Sequence, residues 1–280
     1  MRIIADSGST QCTWILDTSD GTNAATRLRT AGINAAQHAD EQIRATLAAL
    51  PRQTDVEEVY FYGAGCGPTF PEASERMRRI LSETFTTKHV TVDSDLQAAV
   101  LALYGDREGI ACILGTGANS CHCRGGEILS NVPPLGYVLG DEGSGAVLGR
   151  NLLNGVFKGR IPLRGELLAA CGMTYEEIIR RVYREPAANR FLASFAPFIR
   201  EHLDMPQVRG MVLEAFRDFA RNNLSCYPAG LTASFVGGIA AHFAGLLREA
   251  LATEGYRVER IVESPAEGLL KYHHERQRYK

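Results

Sequence analysis

The sequence predicts an α/β protein of two domains, on three observations. Strand-like and helix-like signals alternate through residues 1–108, the pattern of an α/β fold. A hairpin-like segment occurs twice, as IIADSGSTQCTWIL at 3–16 and ACILGTGANSCHC at 111–123, so the pattern restarts part-way along the chain. The chain has 280 residues, 45% of them hydrophobic, a length that suits two domains or one large one and can bury a sizeable core.

In chain order, residues 2–17 read as a β-hairpin, two apolar runs joined by the small-residue turn Asp6-Ser7-Gly8-Ser9-Thr10. A further extended stretch falls at 26–31. Residues 40–50 have helical spacing, with Asp40 as N-cap. Residues 56–62, rich in valine and aromatics, form a strand running into Gly63-Ala64-Gly65-Cys66-Gly67. An amphipathic helix at 71–83, a short strand at 89–92 and a helix at 95–104 follow. The second hairpin spans 110–123, and a third strand lies at 127–130. From 141 the chain turns mainly helical, at 143–154, 174–184, 186–201 and 206–225. Ser234-Phe235-Val236 is a strand entering Gly237-Gly238, then come a helix at 239–253, a strand at 256–262 and a last helix from 265. The basic tail from Lys271 contains His273-His274, which point apart on a helix, so a solvated terminal helix is expected. The polar turn Gly105-Asp106-Arg107-Glu108-Gly109 marks the boundary, giving domains 1–108 and 109–280, with the last helix able to pack back on the first domain.

A formal charge of -2 gives no general attraction to nucleic acid or acidic membranes. No apolar run reaches the roughly 18 residues of a membrane span. The start, MRIIADSG, enters a strand with no signal-peptide pattern, so a cytoplasmic protein is expected. Its 7 cysteines read as free thiols of a reducing compartment. A strand would put Cys121 and Cys123 on one face, but no second Cys or His pair of zinc spacing lies nearby, so they read as plain strand residues.

Aligned on the two turns, Asp6-Ser7-Gly8-Ser9-Thr10 falls against Gly115-Thr116-Gly117-Ala118-Asn119, and only the first has a carboxylate. Small-residue turns bare backbone N–H groups that can wrap an anion. Two of them could grip one polyphosphate, with Asp6 left for a metal. Magnesium keeps several waters, so one carboxylate can suffice. Asp, Gly, Ser and Thr are also common in ordinary hairpin turns; the repeat is what favours the ligand-binding reading. No G-x-x-x-x-G-K-[ST] loop and no G-x-S-x-G elbow occurs, and Gly63-Ala64-Gly65-Cys66-Gly67 has the wrong final spacing for a dinucleotide fingerprint. Asp95 sits at a strand-to-helix junction, where it could take a proton from a substrate hydroxyl; capping the helix is a role that Asp93 or Ser94 would fill equally well. The glycines of Gly140-Asp141-Glu142-Gly143-Ser144-Gly145 let a polar ligand approach the backbone, though acids in a first turn also serve the helix dipole. Gly237-Gly238 suits a flat adenine or a tight strand–helix turn. Asn34 is a polar loop residue with no meaning in isolation.

Together these residues resemble the actin/hexokinase/Hsp70 ATPase fold, and within it the N-acetylglucosamine kinase and related BadF-type ATPase family, over almost the whole chain. Asp6-Ser7-Gly8-Ser9-Thr10 resembles the first phosphate motif, Leu114-Gly115-Thr116-Gly117-Ala118-Asn119-Ser120 the second. Ser94-Asp95-Leu96 resembles the start of the helix that carries the catalytic aspartate, and Gly32-Ile33-Asn34 the sugar loop. The stretch from Gly136 through Gly145 resembles the sugar-site motif and is the most specific match. Phe235-Val236-Gly237-Gly238 is similar to the adenosine motif, and Ser264-Pro265-Ala266-Glu267-Gly268 to the closing element. The resemblance implies two ribonuclease-H-like domains with an interdomain cleft, ATP and Mg2+ as cofactors, a small-molecule amino sugar as partner and a homodimer. It implies phosphate contacts at Gly8, Ser9, Thr10, Gly115, Thr116, Gly117 and Ser120, adenosine contacts at Gly237 and Gly238, and metal at Asp6. Asp95 would be the catalytic base, and Asn34, Gly136, Asp141 and Glu142 would join it on the sugar. The activity implied is phosphorylation of the 6-hydroxyl of N-acetylglucosamine. N-acetylmuramic acid and glucosamine are alternative acceptors. An ATPase that activates a partner enzyme, with a cysteine-held iron–sulfur cluster as in dehydratase activators, is a reading from another class, and Cys121 and Cys123 are its only close pair. One departure stands out: the first motif continues Thr10-Gln11-Cys12-Thr13, without the usual lysine. The Cys-rich zinc motif of bacterial repressor/kinase sugar kinases is also missing.

Overall fold

The computed structural model describes residues 1–8, 10–18 and 25–277. The chain divides into two compact units, one formed by Met1–Gly105 with Pro265–Lys280, the other by Asp106–Ser264.

In the first unit β1 (Arg2–Ser7) and β2 (Gln11–Asp17) form the expected antiparallel hairpin, and β3 (Thr26–Ala31) pairs with the far edge of β2. α1 (Asp40–Ala48) leads to β4 (Glu58–Gly63), parallel to β1, and α2 (Pro71–Phe85) leads to β5 (His89–Ser94), parallel to β4. α3 (Asp95–Leu103) follows, and the sheet order is β3-β2-β1-β4-β5. The middle of β1, Ile3-Ile4-Ala5, is an unbroken apolar run because both of its faces are covered. Ile3 and Ala5 join Ile43 of α1 and Met77, Ile80 and Leu81 of α2, while Ile4 faces Ala98 and Leu101 of α3. Trp14 packs against Phe61 and Phe85 within the first of these clusters. Asp40 is not the cap of α1. Ala39 occupies that position and its N–H is met by Gln42 Oε1 at 3.0 Å, so Asp40 is the first helical residue and turns its carboxylate to Arg76 and Arg79.

The second unit repeats the topology. β6 (Gly109–Leu114) and β7 (Ala118–Arg124) form an antiparallel hairpin and β8 (Glu127–Asn131) extends it. A helical segment follows: α4 (Gly136–Leu139), α5 (Gly145–Phe157), α6 (Arg164–Cys171), α7 (Tyr175–Tyr183), α8 (Ala188–Ala193), α9 (Ala196–Glu201) and α10 (Pro206–Asn222). β9 (Ala233–Val236) returns parallel to β6, then come α11 (Gly238–His242), α12 (Ala244–Thr253) and β10 (Val258–Val262), parallel to β9. The order β10-β9-β6-β7-β8 matches that of the first sheet strand for strand.

Three further expectations change. The helix at 186–201 is two helices, α8 and α9, because Pro197 cannot donate to the turn before it. The helix at 239–253 breaks at Phe243, whose backbone leaves helical geometry while its ring is buried against Phe216. The terminal helix α13 (Ala266–Gln277) is not a solvated one. Ala266, Leu269 and His273 recur at helical spacing and are buried on the first unit, and His273 Nε2 shares a hydrogen bond of 3.0 Å with Tyr62 Oη. His274 reaches Asp17 at 2.9 Å. Among the described residues no helix is long and apolar enough to cross a membrane.

Candidate active site

The first unit gathers its polar groups at the C-terminal ends of β1, β4 and β5, where α/β sheets place their sites. Ser7 ends β1, and its buried Oγ accepts from Ile33 N–H at 2.8 Å and donates to Ile33 C=O at 3.1 Å, tying the loop that carries Asn34 to the strand. Backbone bonds continue the tie, from Ala64 N–H to Ser7 C=O at 3.0 Å and from Ala35 N–H to Ala64 C=O at 3.1 Å. Asn34 opens a turn: its carbonyl accepts from Gln37 and His38, and its Oδ1 from Ala36 N–H at 3.1 Å. That fixes the amide with its Nδ2 end turned away from the turn it caps.

Asp6 and Asp95 come together. Both are half-buried. Burial pushes the Asp6 carboxyl up to about 7, and the neighbouring Asp95 charge adds to the rise. Burial raises Asp95 as well, against the opposing pull of backbone N–H groups, including Leu96 N–H at 2.9 Å. The N-cap of α3 is Ser94, whose Oγ accepts from Gln97 N–H at 3.1 Å. Asp95 is therefore the first helical residue and not the N-cap, and its Oδ1 takes the Leu96 N–H. Two carboxylates that repel one another at a strand end are a donor set suited to a hydrated divalent cation. Among the described residues no group of three or more His, Cys, Asp or Glu side chains could hold a metal on its own. Gly8 N–H is bonded to Gln11 C=O at 3.0 Å, and among the described residues a Cβ at Gly8 would meet nothing nearer than that oxygen, at 3.8 Å. Thr10 accepts at its carbonyl from Gly32 N–H. Ser9 lies outside the described residues.

The loop Gly63-Ala64-Gly65-Cys66-Gly67, passed over in the sequence as a failed dinucleotide motif, joins these parts. Gly65 has φ +73°, and a Cβ there would strike Asn34 Oδ1; a Cβ at Gly67 would lie 3.0 Å from Ser94 Cβ. Burial pushes the Cys66 thiol up to about 12, and the Asp95 and Asp93 charges reinforce it. The readable signal was a glycine-dense loop leaving the end of a parallel strand.

The second unit builds a separate constellation. Gly115 N–H bonds Gly117 C=O at 2.9 Å, closing the turn, and a Cβ at Gly115 would meet nothing within 4 Å. Gly145 N–H and Ala146 N–H bond the carbonyls of Gly115 and Thr116, so α5 starts against the turn. Asp141 is buried, its Oδ1 accepts from Ala118 N–H at 3.1 Å, and a Cβ at Gly117 would lie 3.2 Å from its Oδ2. Burial raises its carboxyl against that bond, and Glu142 raises it further. Asp141 therefore sits behind the 115–117 turn. Glu142 is held by Asn222, the last residue of α10, and by Asn223 just beyond it, at 3.1 and 3.3 Å. Ser120 is fully buried and shares a 2.8 Å hydrogen bond with Tyr227 Oη. Gly136 opens α4 between the exposed side chains of Leu135 and Val138. Gly237, at φ +123°, packs its α-carbon on Leu114 C=O, which brings Gly237 and Gly238 beside Gly115. Cys121 and Cys123 are buried within β7, the latter donating toward Gly109 C=O, which does not suit a cluster shared between subunits.

No protein-family model matches the chain, and no curated protein does. Solved structures do. A proposed N-acetylglucosamine kinase from Porphyromonas gingivalis is 40% identical, with 99% of this chain and 100% of that one covered and a TM-score of 0.94. The chain belongs to the N-acetylglucosamine kinase and BadF-type ATPase family. A proposed N-acetylglucosamine kinase from Chromobacterium violaceum is 21% identical over 97% of this chain and 98% of that one, with a TM-score of 0.74. A ROK family glucokinase from Streptomyces griseus, solved with glucose and AMPPNP, is 16% identical over 96% and 97%, with a TM-score of 0.58. At these last two identities the likeness is one of fold. This member of the family thus has two α/β units of the actin/hexokinase/Hsp70 type. Gln11, where the usual lysine is missing, lies exposed at the start of β2.

Proposed function

We propose that this sugar kinase transfers the γ-phosphoryl group of ATP to the 6-hydroxyl of N-acetylglucosamine. The observation that carries the reading is the Asp6–Asp95 pair. In it Asp95 stands one residue inside the Ser94 cap, beside Asp6, and burial raises its carboxyl, which favours uptake of a hydroxyl proton. Asp95 takes that proton and aims the oxygen in line with the phosphoryl group. Asp6 would hold Mg2+, and magnesium bound there would supply the positive charge that offsets the phosphates. Phosphoryl transfer asks mainly for positioning and charge stabilisation, so a site with few reactive side chains suffices. The turn at Gly8, Ser9 and Thr10 and the turn at Gly115, Thr116 and Gly117 receive phosphate oxygens. Ser120 backs the second turn, and Gly237 and Gly238 take the adenosine. Asn34 Nδ2 binds a sugar hydroxyl, with Gly136, Asp141 and Glu142 completing recognition. The homodimer, cytoplasmic location and amino-sugar metabolism belong to the same proposal.

A panel of amino sugars with ATP and magnesium, read by sugar-phosphate mass and by NMR of the phosphorylated position, tests it. N-acetylglucosamine 6-phosphate is the expected product. Turnover only of N-acetylmuramic acid or glucosamine would replace the acceptor, and ATP consumption stimulated by no hexosamine would sink the reading. Asp95→Asn should lower kcat by about 100-fold or more, the range of a lost general base.

A further inference from the structure

The turn that presents Asn34 is held by a side chain with no part in the site described so far. Arg76 lies in the second turn of α2. Its Nη2 donates to Ala35 C=O and to His38 C=O, the latter at 2.8 Å, and its Nη1 faces Asp40 Oδ1 at 3.4 Å. Those carbonyls bracket the turn that Asn34 opens. A guanidinium presents its donors in a rigid plane, so it sets the spacing of the two carbonyls as well as attracting them. Two residues earlier on α2, Ser74 Oγ accepts from Gly67 N–H at 2.9 Å. Gly67 in turn packs on Ser94, next to Asp95. The start of α2 therefore sets where both Asn34 and the Asp95 junction lie. Arg76 Nε is buried and, among the described residues, has no hydrogen-bond partner. An orphaned buried donor costs stability, so fold stability alone is a poor reason for an arginine here.

We propose that Arg76 is a positioning residue for acceptor recognition, holding the 33–38 turn so that Asn34 Nδ2 meets the sugar. The proposal rests on the sugar-kinase reading above. Its test has two arms on the full chain. Hydrogen exchange at the amides of Ala36, Gln37 and His38 reads the turn without any sugar. Steady-state kinetics with N-acetylglucosamine and ATP reads recognition. Arg76→Met should speed exchange at those amides and raise the acceptor KM about tenfold or more, with the ATP KM within about twofold. Arg76→Lys should restore only part of both, since an ammonium lacks the fork. Arg79→Met, which removes a neighbouring contact to Asp40 alone, should change neither. Unchanged exchange, or faster exchange with an unchanged acceptor KM, overturns the proposal while leaving the kinase reading intact. If the wild-type protein phosphorylates no sugar, the kinase reading falls and takes the positioning role with it.

Discussion

Asp6 is held under opposed demands. Its folded pKa of about 7 stands above the ordinary 3.8, so folding favours its neutral form. The stability it contributes is complete below pH 3.8 and is lost as the pH rises through about 7. Asp6→Asn removes that loss, which amounts to as much as about 4 kcal/mol at alkaline pH. The variant should melt several degrees above the wild type at pH 8 without magnesium, the gap closing toward pH 4 in thermal denaturation. The same substitution should abolish magnesium-dependent turnover, since the stored repulsion is what a cation relieves. At Gly237 a methyl group would strike Leu114 C=O in a conformation that side chains rarely adopt. Gly237→Ala should cost about 1–3 kcal/mol in urea denaturation and weaken nucleotide binding by calorimetry. Much of this site was legible in residue types, because small residues and carboxylates at strand ends have few structural uses in such density. What was hidden depends on contacts between residues far apart in sequence. Ser94 against Asp95 as the cap, Gly65 against Asn34, Arg76 against Ala35 and Asp141 behind Gly117 all require the fold to be known.

Among the elements, the hairpins and parallel strands were readable because an apolar run flanked by turn residues has one good use. Helices α4 and α6 were not, being short and flanked by glycine or proline signals that read as loop. The terminal helix misled most: its charged residues are as many as its apolar ones, yet a narrow seam of Ala266, Leu269 and His273 suffices to dock it. Gly268 lets it approach α3 so closely that a Cβ would lie 2.7 Å from Ala102 Cα. Gly268→Ala gains helix propensity of about 1 kcal/mol but meets backbone that cannot yield. A net loss of stability is expected, with a lower urea midpoint. His273 is buried and its pKa is lowered to about 4 from 6.5, first by burial and then by Arg2. Its neutral form is the one folding favours, so its contribution is complete above pH 6.5 and is lost as the pH falls through about 4. His273→Gln should remove about 3 kcal/mol of acid sensitivity across that window, seen in urea midpoints against pH. Asp6 slopes the other way over nearly the same range, so the two offset in the wild type and each single variant should expose the opposite slope.

For the molecule as a whole, the two units share one strand order and diverge at the same positions. The turn after β1 matches the turn after β6, and the glycine loop after β4 matches that after β9. The junctions after β5 and β10 differ: in the first Asp95 is itself the opening residue of the helix, while in the second Glu263, Ser264 and Pro265 come between the strand and the helix. One framework thus carries different side chains at corresponding strand ends: Asp6 and Asp95 in the first unit, Gly115 and Gly237 in the second. The path of the chain also sets an order of events. The first unit begins the sequence, yet its last helix is made only after the whole of 106–264 has been passed through. While a ribosome synthesises that stretch, Ile4, Ile15, Tyr62 and Leu101 lack the cover that Ala266 and Leu269 later supply. The second unit is thus the first that can close during translation, although it is encoded later. Nascent chains stalled just past residue 264 and outside the exit tunnel should keep residues 106–264 protease-resistant while the N-terminal unit is cut. Release of the final helix then completes the protein from its beginning.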